Sequence, residues 1–465
     1  MTILTNWTLP ARMAGLILLA GFAAIVAVNW PGHLSYDSIL QLLQGRTGLY
    51  NTWHPPVMAW LLGLGDALVP GTGLFIAFDA ALGFGALAGV LLLAPGRAGW
   101  TAAVAAFAIV LSPQMLIYQG IVWKDVLFAD AGVAGFVCLA QAAAHWRLVR
   151  ARWALLAASF LLLGLAALTR QNGTVLLPFA GAALGWIAAR DGGSRIGAAA
   201  MGGGFFLAFL AVVFGASALL NLRSDGEPGP EDQFHLLEVY DLAGAVAREP
   251  AFPLPALAED DPELEGVLRT ESARFYTPVR NDPLASAPDM RAPLETLDEE
   301  ALAADWRALV LHHPWLYLKI RAADFGWVAF TPDIAICRPI FTGIDGPAPQ
   351  MKALGLPGRR DARDLALSRY GAAFFDTPVL SHIPFAIVAA AGIWLLLRRR
   401  RQADIAMAAM LGAGLAFAVS FFPIAISCDY RYLYALDLSA LAGVFYLLLE
   451  PRSIVEGTPW ASNSA

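Results

Sequence analysis

The sequence predicts an all-α polytopic membrane protein. It should have about ten transmembrane helices, interfacial helices in the first outer loop, and one long outer loop. Three observations carry this. Of the 465 residues, 58% are hydrophobic and only 15% charged, against about 45–50% apolar and about 25% charged in ordinary soluble domains. With a mean hydropathy of +0.59, a soluble chain would expose large apolar patches and aggregate. Apolar runs of spanning length recur along the chain, and arginine collects in the short loops of one side. The expected organisation is an N-terminal transmembrane module (1–220), an extracytoplasmic loop region (221–376), and C-terminal transmembrane helices with a tail (377–465).

A span needs about 20 mostly apolar residues. The runs that qualify, or nearly so, are 11–29, 72–94, 99–118, 125–145, 153–168, 174–189, 196–219, 377–397, 404–427 and 433–449. The first follows Arg12 and ends in the small residues of "AIVAV", which a cleaved signal peptide would also show. It is long enough to span and no clean cleavage site follows, so a retained helix is expected. Segment 55–69 is apolar but short and contains Asp66, which suits a helix lying in the interface. Residues 221–376 form a hydrophilic excursion rich in Pro, Asp and Glu. Within it a helix is expected from Asp298 to His312, and the aromatic, amphipathic 314–330 reads as interfacial. As a span, 314–330 would invert the later helices and place Arg398–Arg401 outside.

With the N-terminus inside, the inner loops receive Arg12, Arg97, Arg147, Arg150, Arg152, Arg190, Arg195, Arg398–Arg401 and Arg452. The outer short loops hold only Arg46, Lys124, Arg170 and Arg431. Both termini are therefore expected on the cytoplasmic side. The outer loops, 29–54, 119–124, 169–173, 221–376 and 428–432, carry nearly every conspicuous polar motif. No basic stripe beside stacking aromatics supports nucleic-acid binding. The three cysteines lack metal-ligand spacing, so no zinc site is expected. Cys337 and Cys428 could pair in an oxidising compartment, but chance placement is the expectation.

Each outer motif has two readings. In "SYDSILQLLQG", Ser35 or Asp37 caps a helix whose Ile39, Leu40, Leu42 and Leu43 face the membrane, or Asp37 takes a proton from an acceptor hydroxyl. In "WHPPVMAW" the prolines start a helix, and His54 is either structural or a phosphate or sugar contact. "YQGIVWKD" places Lys124 and Asp125 at a span mouth, as a local pair beside Trp123 or as a cation for a lipid phosphate. "TRQNG" offers Arg170 and Asn172 as a phosphate fork or an Asn-Gly turn. "SCDYRYLYALD" sets Arg431 among Asp429, Tyr430, Tyr432 and Tyr434, where an interfacial aromatic belt is the plain alternative. Asp79, Asp130 and Asp437 lie in the outer halves of spans and suggest a polar pocket opening outward. His312–His313 reads as structural, and "MGGGFF" near residue 201 as close helix packing rather than a phosphate loop.

Taken together, "SYDSILQLLQG", "HPP" with its interfacial helix, "WKDVLFA", "TRQNG" and "DYRYLYALD" resemble the GT-C membrane glycosyltransferases, which include protein mannosyltransferases and lipid A aminoarabinose transferases. The resemblance implies transfer of a sugar from a polyprenyl-phosphate donor to a glycan, lipid or protein acceptor. It also implies the bacterial inner membrane, with the site on the extracytoplasmic face. Asp37 would be the general base of an inverting displacement. Tyr36, His54, Lys124, Asp125, Arg170, Asn172, Arg431 and Tyr432 would bind substrate. No cofactor is demanded, although Asp37 and Asp125 could share a divalent ion if their loops meet. The chain departs from the family pattern in two places. Many relatives have two adjacent acids where Asp37 stands between Tyr36 and Ser38, and some have Lys-Pro in place of His54-Pro55. The rival reading is a transporter or flippase of lipid-linked sugars, which would place coupling residues near the midplane of repeated halves. A membrane-anchored sensor using 221–376 leaves the motifs in the other short loops unexplained.

Overall fold

Thr8 and Pro10 begin the first helix: the Thr8 hydroxyl accepts from the Ala11 amide and the proline sits in the first turn. The computed structural model describes residues 7–222, 224 and 229–450. From that start run α1 (Leu9–Asn29), α2 (Tyr36–Thr47), α3 (Val57–Leu68), α4 (Gly73–Leu91), α5 (Trp100–Val110) and α6 (Pro113–Leu116). They are followed by α7 (Lys124–Ala144), α8 (Val149–Thr169), α9 (Leu176–Arg190) and α10 (Arg195–Asn221). Among the described residues no strand forms; only isolated bridges do, such as His33 with Ile121 and Leu34 with Ile344.

The hydrophilic excursion folds into α11 (Pro230–Arg248), α12 (Pro255–Asp260), α13 (Pro262–Phe275), α14 (Asp282–Ala285) and α15 (Arg291–Glu295). It continues through α16 (Glu299–His312), α17 (Pro314–Phe330), α18 (Ile334–Cys337), α19 (Ala348–Leu354) and α20 (Ala362–Ala372). Three helices close the described chain: α21 (His382–Arg399), α22 (Gln402–Val419) and α23 (Tyr434–Leu449). Among the described residues nine helices are long and apolar enough to cross a membrane, or ten if one bent pair counts as a span. The protein is an all-α, multi-pass membrane protein. α7 is its hub, almost wholly buried and packed on α4, α8, α22 and α23. Among the described residues α10 packs chiefly on α8 and α9 and leaves most of its surface free.

The third expected span is broken. Residues 100–110 and 113–120 meet at 58°, because Pro113 has no amide to donate and disfavours helix at Ser112. The bend turns Gln114, Tyr118 and Gln119 into the protein interior. The helix expected from Asp298 is α16, with the Asp298 carboxylate accepting from the Ala301 amide at 2.9 Å. α17 occupies 314–330 and is not among the helices of spanning character.

Two expectations are corrected. Ile39 and Leu42 do not face the membrane; they are fully buried against Met58, Leu62, Ile344 and Leu354, because the excursion folds back over α2. Cys337 and Cys428 are not a chance pair: they form a disulfide across 91 residues of sequence, beside Val279 and Trp327. Cys138 is free. The excursion has its own apolar core, including Leu242, Leu257, Leu268 and Leu302. It docks through Arg321, fully buried, which pairs with Asp241 and Asp324 and donates to the Ala425 carbonyl at 2.9 Å.

Candidate active site

Ser35 caps α2, and that frees Asp37. The Ser35 amide donates to the Ser38 hydroxyl at 3.2 Å, and Ser38 donates to the Val122 carbonyl at 2.6 Å. Trp123 Nε1 donates to the Ser35 hydroxyl at 2.7 Å. The start of α2 is thus anchored to the segment before α7, and the Asp37 side chain is a quarter exposed.

It turns toward Arg431. Arg431 Nη1 lies 2.7 Å from Asp37 Oδ2, and its Nε lies 2.9 Å from Asp429 and 3.8 Å from Asp125. On the other side of Asp37, His54 Nε2 is 3.7 Å from Oδ1, and Lys124 Nζ donates to His54 Nδ1 at 2.8 Å. Arg170 pairs with Asp125, its guanidinium 5.0 to 5.6 Å from the ring centres of Phe421, Phe417 and Tyr432. Residues from α2 and the loop before α3, the mouth of α7, the turn after α8 and the loop before α23 therefore form one cluster. Among the described residues Lys124 has no carboxylate within 4.0 Å.

Burial works against a charge on Asp37, but the Arg431 guanidinium, helped by His54 and Lys124, outweighs it and holds the carboxyl well below the usual carboxylate range. Burial and then Lys124 lower His54 to about 4. Its imidazole is neutral at pH 7, accepting from Lys124 on Nδ1 and presenting Nε2–H to Asp37.

Asn172 lies beside the cluster rather than in it: its Nδ2 donates to the Ser420 hydroxyl at 2.9 Å and fixes the turn that carries Arg170. Gln171 reaches the Trp53 carbonyl at 3.1 Å and ties that turn to the His54 loop. Tyr36 is 59% exposed, and among the described residues no hydrogen bond, ion pair or ring contact joins its side chain to the cluster. Tyr432 stacks on Phe421 at 5.3 Å.

Asp79, Asp130 and Asp437 do not line an outward pocket. They are fully buried below the cluster. Gln119 donates to both Asp130 oxygens at 3.0 and 2.9 Å, and Asp437 holds His382 at 2.8 Å and the Tyr430 hydroxyl at 2.7 Å. Tyr118 stacks on Tyr434 at 4.7 Å and meets Trp123 edge-on, and the Trp123 ring lies 5.0 Å from the Arg431 guanidinium. This polar and aromatic layer forms the floor of the site.

Sequence reasoning passed over Asp429 and Trp123 as site residues, although both adjoin chosen ones. The buried His33 was also missed. Its Nδ1 accepts from the Gly343 amide at 2.9 Å, and Arg359 donates to Gly32 O at 2.9 Å beside it. Burial and then Arg359 lower His33 to about 4, so it stays neutral while joining the excursion to the first loop. Asp37 and Asp125 each face a guanidinium, Arg431 and Arg170 respectively. Among the described residues no group of three His, Cys, Asp or Glu could hold an ion.

No family model and no curated protein match the chain. The fold is similar to the Archaeoglobus fulgidus oligosaccharyltransferase AglB in complex with an inhibitory peptide and a dolichol-phosphate (17% identity, 92% of this chain, 50% of that chain, TM-score 0.37). It is similar to the Archaeoglobus fulgidus oligosaccharyltransferase in complex with Zn and sulfate (17% identity, 93% of this chain, 48% of that one, TM-score 0.40). It is also similar to ArnT from Cupriavidus metallidurans in the apo state (13% identity, 94% and 77% coverage, TM-score 0.33). The chain spans about half the length of the two oligosaccharyltransferase chains.

Proposed function

We propose that the protein is a membrane glycosyltransferase that moves a sugar from a polyprenyl-phosphate donor to an extracytoplasmic acceptor, a glycan, lipid or protein, with Asp37 as general base. The observation that carries this reading is the convergence of Asp37, His54, Lys124 and Arg431 at one rim of the bundle. The acceptor oxygen gives its proton to Asp37 and bonds to the anomeric carbon. The bond from that carbon to the phosphate oxygen breaks, and polyprenyl phosphate leaves with inversion. Lys124, which has no carboxylate of its own within reach among the described residues, donates to the phosphate first. Growing charge on the leaving phosphate draws Arg431 from Asp37. That releases the constraint on the Asp37 carboxyl and strengthens it as a base when the proton must move. One preorganised contact of this kind is worth roughly 3 kcal/mol in the transition state.

The donor's lipid, the extracytoplasmic placement and the role of Asp37 are parts of the same proposal. The disulfide between Cys337 and Cys428 supports that placement, since such bonds persist in oxidising compartments. A carrier of lipid-linked sugars fits less well. The intramembrane carboxylates that would couple transport are engaged by Gln119, His382 and Tyr430.

Mass spectrometry of envelope glycans from a deletion strain tests the reading. Complementation with the wild-type gene should restore one missing glycosylated species, and Asp37→Asn at equal membrane abundance should not. Full restoration by Asp37→Asn rejects the assignment.

A further inference from the structure

The opposite, arginine-rich face holds a cavity of about 970 Å³. It lies where the loops after α4, α7, α9 and α21 meet the end of α23, and its charged lining is Arg97, Arg147, Arg190, Arg399 and Arg401 against Asp191 and Glu450. The volume lies in the range of ligand sites, about 300–1,000 Å³. Charge in the wall is unbalanced. Arg399 is held by Asp404 at 2.5 Å, and Arg97 and Arg401 share Glu450 at 3.5 and 2.8 Å. Among the described residues neither Arg147 nor Arg190 has a carboxylate within 4.0 Å.

An apolar groove of about 760 Å³ opens beside it on the membrane face of α8, α9 and α10, lined by Trp153, Leu156, Phe160, Leu184, Met201 and Phe205. Arg152 joins the two. Its guanidinium lies 5.0 Å from the ring centre of Trp146, in the cavity wall, and 5.4 Å from that of Trp153, in the groove. Its Nε, buried from water, has no hydrogen-bond partner among the described residues. Arg152 thus spans from a ring in the cavity wall to a ring in the groove wall.

We propose that this face binds an anionic phospholipid of the cytoplasmic leaflet, its phosphate among Arg147, Arg190 and their neighbours and one acyl chain in the groove between α8 and α10. Basic pockets between transmembrane helices on the cytoplasmic side recognise such headgroups. The arginines converge on a concavity rather than spreading along loops, which a charge bias for orientation alone does not require. The proposal rests on the membrane fold and its orientation, and is independent of the transferase reading.

The test is the melting temperature of the purified full-length protein in neutral detergent. Phosphatidylglycerol, phosphatidylcholine with the same chains, and inorganic phosphate are titrated separately. Phosphatidylglycerol should raise the melting temperature saturably, and the other two should not. The double variant Arg147→Gln/Arg190→Gln should raise the half-saturating concentration at least tenfold. Arg150→Gln, which removes an exposed inner arginine outside the cavity, should leave it unchanged. Gly204→Leu supplies a neutral variant: a Cβ there meets no atom within 4 Å, so the side chain fills the groove and should weaken binding severalfold. Equal stabilisation by phosphatidylcholine or by phosphate overturns the proposal. So does equal weakening by Arg150→Gln, or Gly204→Leu without effect.

Discussion

Asp37 owes its availability to Ser35. Because the serine and Ser38 satisfy the start of α2, the carboxylate makes its bonds with Arg431 and His54 instead. Asp37→Asn should then lower turnover about 10²- to 10⁴-fold, the usual worth of a positioned base. The melting temperature should hardly move, since Arg431 keeps Asp429 at 2.9 Å. His54 sets a pH dependence. Its folded pKa of about 4 lies below the 6.5 of an unperturbed histidine, so the unfolded chain takes up the proton first. The stabilisation is complete above pH 6.5 and falls away as the pH drops toward 4, by up to about 3 kcal/mol. The melting temperature should decline across that window, and His54→Gln should show a smaller decline. Asp37, whose carboxyl is held low in the folded state, adds to the loss only below its unfolded value of about 3.8.

The α2–α3 pair sets the position of Asp37 and His54 together. Its two helices touch backbone to backbone: a Cβ on Gly45 would fall 2.3 Å from the Ala59 carbonyl oxygen, and one on Gly63 2.3 Å from the Gly45 carbonyl oxygen. Gly45→Val should force the helices apart, at a cost of about 1–3 kcal/mol, and abolish transfer. Gly65→Ala is the control, since its Cβ would meet Leu74 at an ordinary 3.7 Å. α11 and α17 depend in turn on Arg321, fully buried between Asp241 and Asp324. Removing that cation strands two carboxylates, so Arg321→Gln should destabilise by about 3–5 kcal/mol. Chemical denaturation of the detergent-solubilised protein measures it.

The whole molecule is a helical bundle with its polar cluster on one rim and most short-loop arginines at the other. Leu49, 64% exposed, and Gly193, also exposed, report on the two faces. A membrane-impermeant maleimide should label Leu49→Cys in intact spheroplasts and Gly193→Cys only after permeabilisation; the reverse pattern would invert the orientation and remove the extracytoplasmic site. The excursion is bound to the bundle by Arg321, by Arg359 beside His33 and by the Cys337–Cys428 disulfide. It therefore supports the first loop from above, as the buried Gln119–Asp130 and His382–Asp437 pairs support the floor from below.

Sequence alone determined the apolar runs, the clustering of arginine in one set of short loops and the residue types at the polar rim. A membrane imposes these locally: about 20 apolar residues per crossing, and charge in the loops. Asp37, His54, Lys124, Arg170 and Arg431 were legible because charge is costly in such a chain and each stood out from its surroundings. Which of them meet was a tertiary decision, since pairing depends on how α7 and α23 pack against the first loop. The same holds for the closed layer around Asp79, Asp130 and Asp437, for the burial of Ile39 and Leu42 under the excursion, and for the disulfide. Each joins segments far apart in the chain, and no periodicity within either segment records its partner.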